Sequence, residues 1–265
     1  MGTPIIETVA LRVRDLHRSS AFYEGILGLQ ALSSGDAIRE FGADPGAPPL
    51  LRLVEAPDAR PKPARALGLY HVALLVPDRP SLAAVLRRLA DAGVRLQGAS
   101  DHHVSEALYL ADPDGHGIEI YRDRPVKEWA YSQSGELYMT TDSLDLQELL
   151  SASDRGAGMP RGTMIGHIHL HVADLKKAET FYVEDLGFDV MVRSYPGALF
   201  VSAAGYHHHI GLNTWAGPNA APPEDQTIGM MEFAIRAPRA PDGNVARHGE
   251  NVISDPDGIR IRLID

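Results

Sequence analysis

The chain has 265 residues, of which 44% are hydrophobic and 23% charged, with a net charge of −10 and no cysteine. This composition is ordinary for a globular protein, and it excludes disulfides and thiolate metal ligands. The negative charge argues against a nucleic-acid partner, because little in the chain could neutralise phosphates. No stretch approaches the roughly 18 to 20 apolar residues of a membrane helix, and the N-terminus lacks a signal-peptide pattern. We therefore expect a cytoplasmic protein.

Two segments of the chain, residues 9–30 and 168–189, repeat the same residue pairs at one fixed spacing. The repeated pairs are Asp15-Leu16, Phe22-Tyr23 and Leu27-Gly28, and then Asp174-Leu175, Phe181-Tyr182 and Leu186-Gly187. In the first copy an alternating strand comes first, Asp15 is suited to cap a helix, and Gly28 is suited to end it. The repeat predicts that both segments share one strand–helix structure.

Related units occur elsewhere in the chain. The segment YHVALLVPD predicts a strand that is followed by a helix from Pro80 to Gly93, and each of two DPDG turns leads into a further strand. The chain thus has an α+β pattern of four βαβββ modules. We place them at residues 4–58, 67–124, 162–217 and 226–265, and the fourth lacks room for a full helix.

The modules group by sequence into two halves. Residues 1–124 hold the first two modules and residues 162–265 the last two. A connector at residues 125–161 contains one predicted helix, from Ser143 to Ser153, capped by Asp142 or Ser143.

Histidines and one glutamate are placed on predicted strands in a pattern that indicates a metal site. His71 lies on an apolar opening strand, and Glu119 lies between two isoleucines on the closing strand of the same module. A lone strand histidine is more often a hydrogen-bonded core residue, but a buried carboxylate needs a compensating partner, and a metal would explain both. His167, His169 and His171 alternate along one strand and so share one face.

Two histidines and one carboxylate with open coordination positions suit non-haem Fe(II). A further run, His207 to His209, lies inside an apolar strand pattern, although such a run could also be a solvated polar segment. Trp215 and Phe200 are interpreted as packing residues.

The four-module pattern resembles the vicinal-oxygen-chelate superfamily, which contains glyoxalase I, bleomycin-resistance proteins and extradiol dioxygenases. In this superfamily the metal ligands come from the first and last strands of paired modules. The segments DHHVSEALYLADPDGHGIEIY at 101–121 and YHHHIGLN at 206–213 look like those of type I extradiol enzymes. The whole chain is most similar to the bacterial catechol-2,3-dioxygenase group of this family.

The resemblance implies ring cleavage of a catechol by O₂ at Fe(II), with Mn(II) as an alternative metal, in aromatic hydrocarbon catabolism. It implies that His71, Glu119 and His167 are the ligands. His208 would be the acid/base histidine, with His209 as the alternative, because neighbours on a strand face opposite ways. Tyr109 and His102 would form hydrogen bonds to the reacting groups.

The chain departs from the usual arrangement, in which modules three and four build the site. The fourth module has Glu232 and Arg262 at its ligand positions, and the first has Thr8. We therefore predict that modules two and three pair, within one chain or across a homo-oligomer. A glyoxalase-like lyase or isomerase, and a metal-free binding module, remain alternatives on the same fold.

Overall fold

The computed structural model describes residues 5–33, 35–133, 135–152, 156, 158–236, 238 and 252–264. Sixteen strands are present in these residues. In chain order they are β1 Ile6–Val13, β2 Gln30–Ala31, β3 Ile38–Gly42, β4 Leu51–Glu55, β5 Gly68–Leu75, β6 Gly98–Asp101, β7 Ser105–Ala111, β8 Gly117–Asp123, β9 Asp142–Ser143, β10 Met164–His171, β11 Asp189–Val192, β12 Ala198–Ser202, β13 Ile210–Asn213, β14 Gly229–Ile235, β15 Val252–Ser254 and β16 Arg260–Leu263.

The strands form two sheets, and each sheet combines strands from both halves of the chain. The seven-stranded sheet has the order β15-β16-β14-β1-β4-β3-β2, and the nine-stranded sheet has the order β11-β12-β13-β10-β5-β8-β7-β6-β9. Within each module the first strand runs parallel to the last, as in the pairs β5–β8 and β10–β13. These repeated units confirm the predicted α+β fold of βαβββ modules.

The second and third modules pair directly, within one chain. Strand β5 is antiparallel to β10, and β1 is antiparallel to β14 in the other sheet. Modules two and three therefore meet at the centre of one sheet, while modules one and four meet at the centre of the other. The boundaries of the predicted domains, at residues 124 and 161, stay a prediction.

Within the described part of the chain, four α-helices connect the strands: α1 Leu16–Ser20, α2 Arg79–Asp91, α3 Leu146–Ser151 and α4 Leu175–Glu179. A π-helical turn continues α1 over Ala21–Ile26 and α4 over Thr180–Asp185, and a 3₁₀ turn covers Val126–Glu128. Asp15 caps α1 by accepting a hydrogen bond from the Arg18 N–H, and Gly28 ends the helical segment with a φ of 76°. Both predictions from the repeat are thus confirmed. No helix in the described ranges is long and apolar enough to cross a membrane.

The helix predicted in the connector is shorter than expected and has a different cap. Asp142 and Ser143, the two predicted caps, form the edge strand β9 beside β6. The helix α3 begins after Asp145, whose carboxylate accepts hydrogen bonds from the Gln147 and Glu148 N–H groups. Its predicted end, Ser153, lies outside the described residues, as do residues 239–251 of the fourth module, so the lack of a full helix in that module stays a prediction.

Two tyrosines, each on the helical segment of one module, form hydrogen bonds to a turn of another module. The hydroxyl of Tyr23, after α1, donates to Asp112 at 3.0 Å, and the hydroxyl of Tyr182, after α4, donates to Asp255 at 3.1 Å. Each aspartate begins one of the two DPDG turns. These buried bonds tie module one to module two, and module three to module four, across the common hydrophobic core.

Gly117 allows β5 and β8 to approach closely where they carry the candidate site. A Cβ at residue 117 would lie 2.0 Å from the Tyr70 carbonyl oxygen, which belongs to the backbone. We expect Gly117→Ala to lower the free energy of unfolding by about 3 kcal/mol, because the strands would have to separate. Urea unfolding measures this loss. Gly98→Ala is the matched control, since its Cβ would have ordinary contacts at 3.9 Å, and equal losses in both variants would contradict the argument.

Candidate metal centre

Three buried side chains converge at the centre of the nine-stranded sheet. His71 lies on β5, Glu119 on β8 and His167 on β10, and one ligand atom from each lies within 4.8 Å of the other two. The strand register causes this convergence, because Ala73 pairs with Glu119 on one side and with His167 on the other. His71 is two residues before Ala73 and so points to the same face. The three predicted ligands are therefore brought together.

The three side chains are arranged like metal ligands, because they are close together but not fully hydrogen-bonded. His71 Nε2 lies 2.9 Å from Glu119 Oε2, yet the angles do not make a hydrogen bond, and this nitrogen has no other partner. His167 Nε2 lies 3.1 Å from the same oxygen, and His167 Nδ1 is also buried without a partner. An unpartnered buried nitrogen is costly, and a cation held between His71 Nε2, His167 Nε2 and the carboxylate would satisfy that of His71.

The protonation states of His167 and Glu119 are those that bind a metal. Burial lowers the pKa of His167 to about 4, so its imidazole is neutral at pH 7. Burial raises the pKa of Glu119, but the hydrogen bond of His167 and the charges of His167 and His71 outweigh it and hold that pKa well below its usual range. An ionised carboxylate and a neutral imidazole are the states that coordinate a metal.

A cavity of about 320 Å³ opens beside the three side chains. Aromatic residues form much of its wall: Tyr70, Tyr109, Tyr195, Phe200 and Trp215. The interpretation of Phe200 and Trp215 as packing residues is incomplete, because both also line this cavity. Tyr195 was not found from the sequence, since it lies in an irregular segment without a repeat or a motif to mark it.

His102 and Tyr109 are held together at the cavity wall. His102 Nδ1 lies 2.5 Å from the Thr140 carbonyl oxygen, which can only accept, so Nδ1 carries the hydrogen. In the neutral ring Nε2 then accepts, and it lies 2.6 Å from the Tyr109 hydroxyl. Tyr109 in turn pairs with Glu119 across β7 and β8. Tyr109 therefore lies next to a candidate metal ligand, and His102 is joined to it through Tyr109.

The three histidines 207–209 have different environments. The His208 ring lines the cavity and lies 4.1 Å, centre to centre, from the His167 ring. His209 instead bonds Ser202 and the Ala203 N–H through Nδ1, outside the cavity lining. His207 is fully buried behind His208. Of the two alternatives that the strand pattern left open, His208 lines the cavity and His209 does not.

His169 and His171 are not part of the convergent set. His169 lines the cavity, and burial lowers its pKa well below the usual value, so the ring is neutral at pH 7. His171 Nδ1 bonds the Asn213 side-chain oxygen at 2.6 Å and lies outside the cavity lining.

The antiparallel pairing of β5 with β10 makes positions in the two modules equivalent. Glu119 pairs with the residue two places after His71, and Gly211 pairs with the residue two places after His167. Gly211 is thus the counterpart of Glu119, and it has no side chain to offer. A Cβ there would lie 2.8 Å from the neighbouring His169 ring. The sheet therefore provides three ligands and leaves the fourth position open.

The equivalent positions of the seven-stranded sheet hold no such set. Thr8 and Glu232 occupy the first-strand positions, and Arg262 the last-strand position of module four, as the sequence predicted. Arg262 forms an ion pair with Glu232 at 2.8 Å, which neutralises the carboxylate without a metal.

The model of the glyoxalase/bleomycin resistance protein/dioxygenase superfamily matches residues 5–120. A catechol-2,3-dioxygenase of Bacillus subtilis (strain 168) is 48% identical over 233 residues, which cover 86% of this chain and 81% of the relative. The chain belongs to the glyoxalase/bleomycin resistance protein/dioxygenase superfamily. This membership confirms the resemblance seen in the modules and motifs.

Solved structures show the same fold at low sequence identity. A candidate dioxygenase of Bacillus subtilis subsp. subtilis strain 168 has a TM-score of 0.61 at 15% identity, covering 99% of this chain and 86% of that chain. Glyoxalase I of Zea mays has a TM-score of 0.57 at 15% identity, covering 99% of this chain and 92% of that chain. These two likenesses concern the fold alone.

Proposed function

We propose that this protein is an extradiol dioxygenase that cleaves the ring of a catechol beside its two hydroxyls with O₂. The observation that carries the proposal is the convergence of His71, Glu119 and His167 with a fourth position left open by Gly211. Two histidines and one carboxylate on one face are the ligand set of non-haem Fe(II) oxygenases. The relative named catechol-2,3-dioxygenase supports the same reaction.

The residues fit a divalent cation, because His71 Nε2 is buried beside a carboxylate without a hydrogen bond. His71, Glu119 and His167 would hold Fe(II), with Mn(II) as the alternative. When bound, such a metal lowers the pKa of a coordinated hydroxyl and holds the two substrates in reacting geometry. A glyoxalase-like site would use a further protein ligand, for which Gly211 provides no group.

His208, Tyr109 and His102 would act on the protons and oxygens of the substrate. Burial and the neighbouring histidines lower the pKa of His208 well below the usual value, so its ring is neutral and has a lone pair for a hydrogen of the substrate. Tyr109 and His102 form a hydrogen-bonded pair that can orient a catechol oxygen beside Glu119. The aromatic wall would hold the catechol ring in the plane required for this contact.

The test is to load the purified protein with Fe(II) without air, add catechol, and then admit O₂. We expect the yellow ring-opened semialdehyde, with one O₂ consumed per catechol. Metal binding without cleavage of catechol or substituted catechols would favour a glyoxalase-like lyase or isomerase. A protein that takes up no metal would favour a binding module.

Uncharged catechols should be preferred over catechols that carry a carboxylate. None of the described residues that line the cavity is a lysine or an arginine. A buried carboxylate on the substrate would have no lysine or arginine beside it. We expect kcat/KM for 3,4-dihydroxybenzoate to be about tenfold to a hundredfold below that of its methyl ester.

The methyl ester is the matched substrate, because it has nearly the shape of the acid but carries no charge. Steady-state kinetics with both compounds, and with 4-methylcatechol as a reference, measure the ratio. Equal kcat/KM values for acid and ester would contradict the prediction by indicating that a lysine or arginine reaches the bound substrate.

A further inference from the structure

A chain of hydrogen bonds runs from the cavity to the protein surface behind His208. His208 Nδ1 lies 2.8 Å from His207 Nδ1, and His207 Nε2 lies 2.8 Å from Asp123 Oδ1. His207 is fully buried, whereas about a quarter (26%) of the Asp123 side chain is exposed. Asp123 is the last residue of β8, the strand that also carries Glu119.

The hydrogens in this chain can be assigned from what each atom can donate. An ionised carboxylate only accepts, so the hydrogen between His207 and Asp123 is on His207 Nε2. A His207 ring with its single hydrogen on Nε2 has a lone pair on Nδ1, to which His208 donates from its own Nδ1. His208 Nε2 is left without a hydrogen, as the ring nitrogen available to the cavity that His208 lines.

Two tyrosines extend the hydrogen bonds at Asp123. The Tyr206 hydroxyl donates to Asp123 Oδ1 at 3.1 Å, and the Tyr121 hydroxyl lies 2.7 Å from that of Tyr206. Because the single Tyr206 hydrogen goes to Asp123, Tyr121 must donate to Tyr206. The His207 ring is also packed against Tyr206 and Trp129, with ring centres 4.0 and 5.4 Å away. The ring therefore has a fixed orientation.

We propose that His207 and Asp123 are positioning residues that hold His208 in the tautomer with Nδ1 protonated and Nε2 free. The effect of this tautomer on kcat rests on the proposed dioxygenase function, in which His208 Nε2 accepts a proton from the substrate. Without Asp123, His207 can carry its hydrogen on Nδ1 and donate it to His208. The His208 hydrogen then moves to Nε2, and the nitrogen that faces the cavity can no longer accept.

The tautomer is tested directly on the metal-free protein. In protein labelled with ¹⁵N-histidine, long-range proton–nitrogen spectra distinguish an Nδ1–H ring from an Nε2–H ring. We expect His208 to be Nδ1–H in the wild type and to shift toward Nε2–H in Asp123→Ala. An Nε2–H ring in the wild type, or identical His208 signals in both proteins, would overturn the proposal whatever the activity of the enzyme.

The kinetic test uses Asp123→Ala and His207→Phe in the Fe(II)-loaded protein. We expect kcat for catechol to fall about tenfold to a hundredfold, with metal content and KM changed less than about twofold. Tyr206→Phe is the control, because it removes the other bond to Asp123 but keeps the one from His207. Asp123 is partly exposed, so its variant should fold even if the buried His207 variant does not.

An unchanged kcat in Asp123→Ala would overturn the proposal. Loss of metal, or an equal fall in Tyr206→Phe, would also overturn it by indicating a structural role only. If the wild type cleaves no catechol, the proposed function fails and the spectra alone decide the tautomer.

Discussion

His167→Ala is expected to lose its Fe(II) and to cleave catechol at least about a thousandfold more slowly than the wild type, equivalent to about 4 kcal/mol. The reason is geometric. His167 is the single described ligand candidate that comes from β10, and without it Glu119 and His71 leave most of the coordination sphere to water. Metal analysis of the protein after gel filtration and O₂ uptake with catechol measure the two effects. His71→Ala should behave in the same way, because β5 and β10 contribute equally.

His171→Ala is the matched control for this prediction. It removes a histidine from the same face of the same strand, but one that bonds Asn213 outside the cavity lining. Its metal content and activity should stay within about twofold of the wild type. Full metal content in His167→Ala would show that the ligand set is wrong. If only His71→Ala lost the metal, β10 would not contribute to the site.

His208→Gln should keep its metal and lose about a hundredfold to ten-thousandfold in kcat, the usual contribution of a general acid or base. The His208 ring lines the cavity and lies against His167, but it is not one of the three convergent groups. Glutamine can replace a hydrogen bond of the ring but cannot take up a proton near neutral pH. The expected pattern is therefore full iron, a nearly unchanged KM and a low kcat.

His209→Gln separates this role from that of the neighbouring histidine. The His209 ring bonds Ser202 and the Ala203 N–H, so its loss should affect stability more than turnover. Steady-state kinetics and iron content of the two variants decide between them. A low kcat in His209→Gln together with a normal kcat in His208→Gln would reverse the assignment.

Much of the fold could be predicted from the sequence, because the modules repeat their signals. Asp15 and Gly28 mark the ends of a helical segment, and the histidines and glutamate interrupt otherwise apolar strands. The pairing of modules two and three followed from elimination, since Glu232 and Arg262 could not serve as the expected ligands. The ion pair between those two residues is the physical reason why the other sheet can manage without a metal.

Other features could not be predicted, because they depend on neighbours far away in the chain. The cap of α3 was misplaced, since Asp142 and Asp145 are equally good caps and only the pairing of β9 with β6 decides between them. The vacancy at Gly211 becomes visible only when the register of β10 with β13 is known. The bond from His207 to Asp123 joins two modules and leaves no local pattern.

Modules two and three share one sheet, and modules one and four share the other. The two sheets are therefore completed at different times during synthesis. Every strand of the nine-stranded sheet has been made once Asn213 leaves the ribosome, whereas β1 must wait for β14. N-terminal units usually fold first, but here the first module is among the last to complete its sheet. In the interval β1 has an open edge that could pair with another chain. The bond from Tyr23 to Asp112 can hold the waiting module against the finished sheet until its partner arrives.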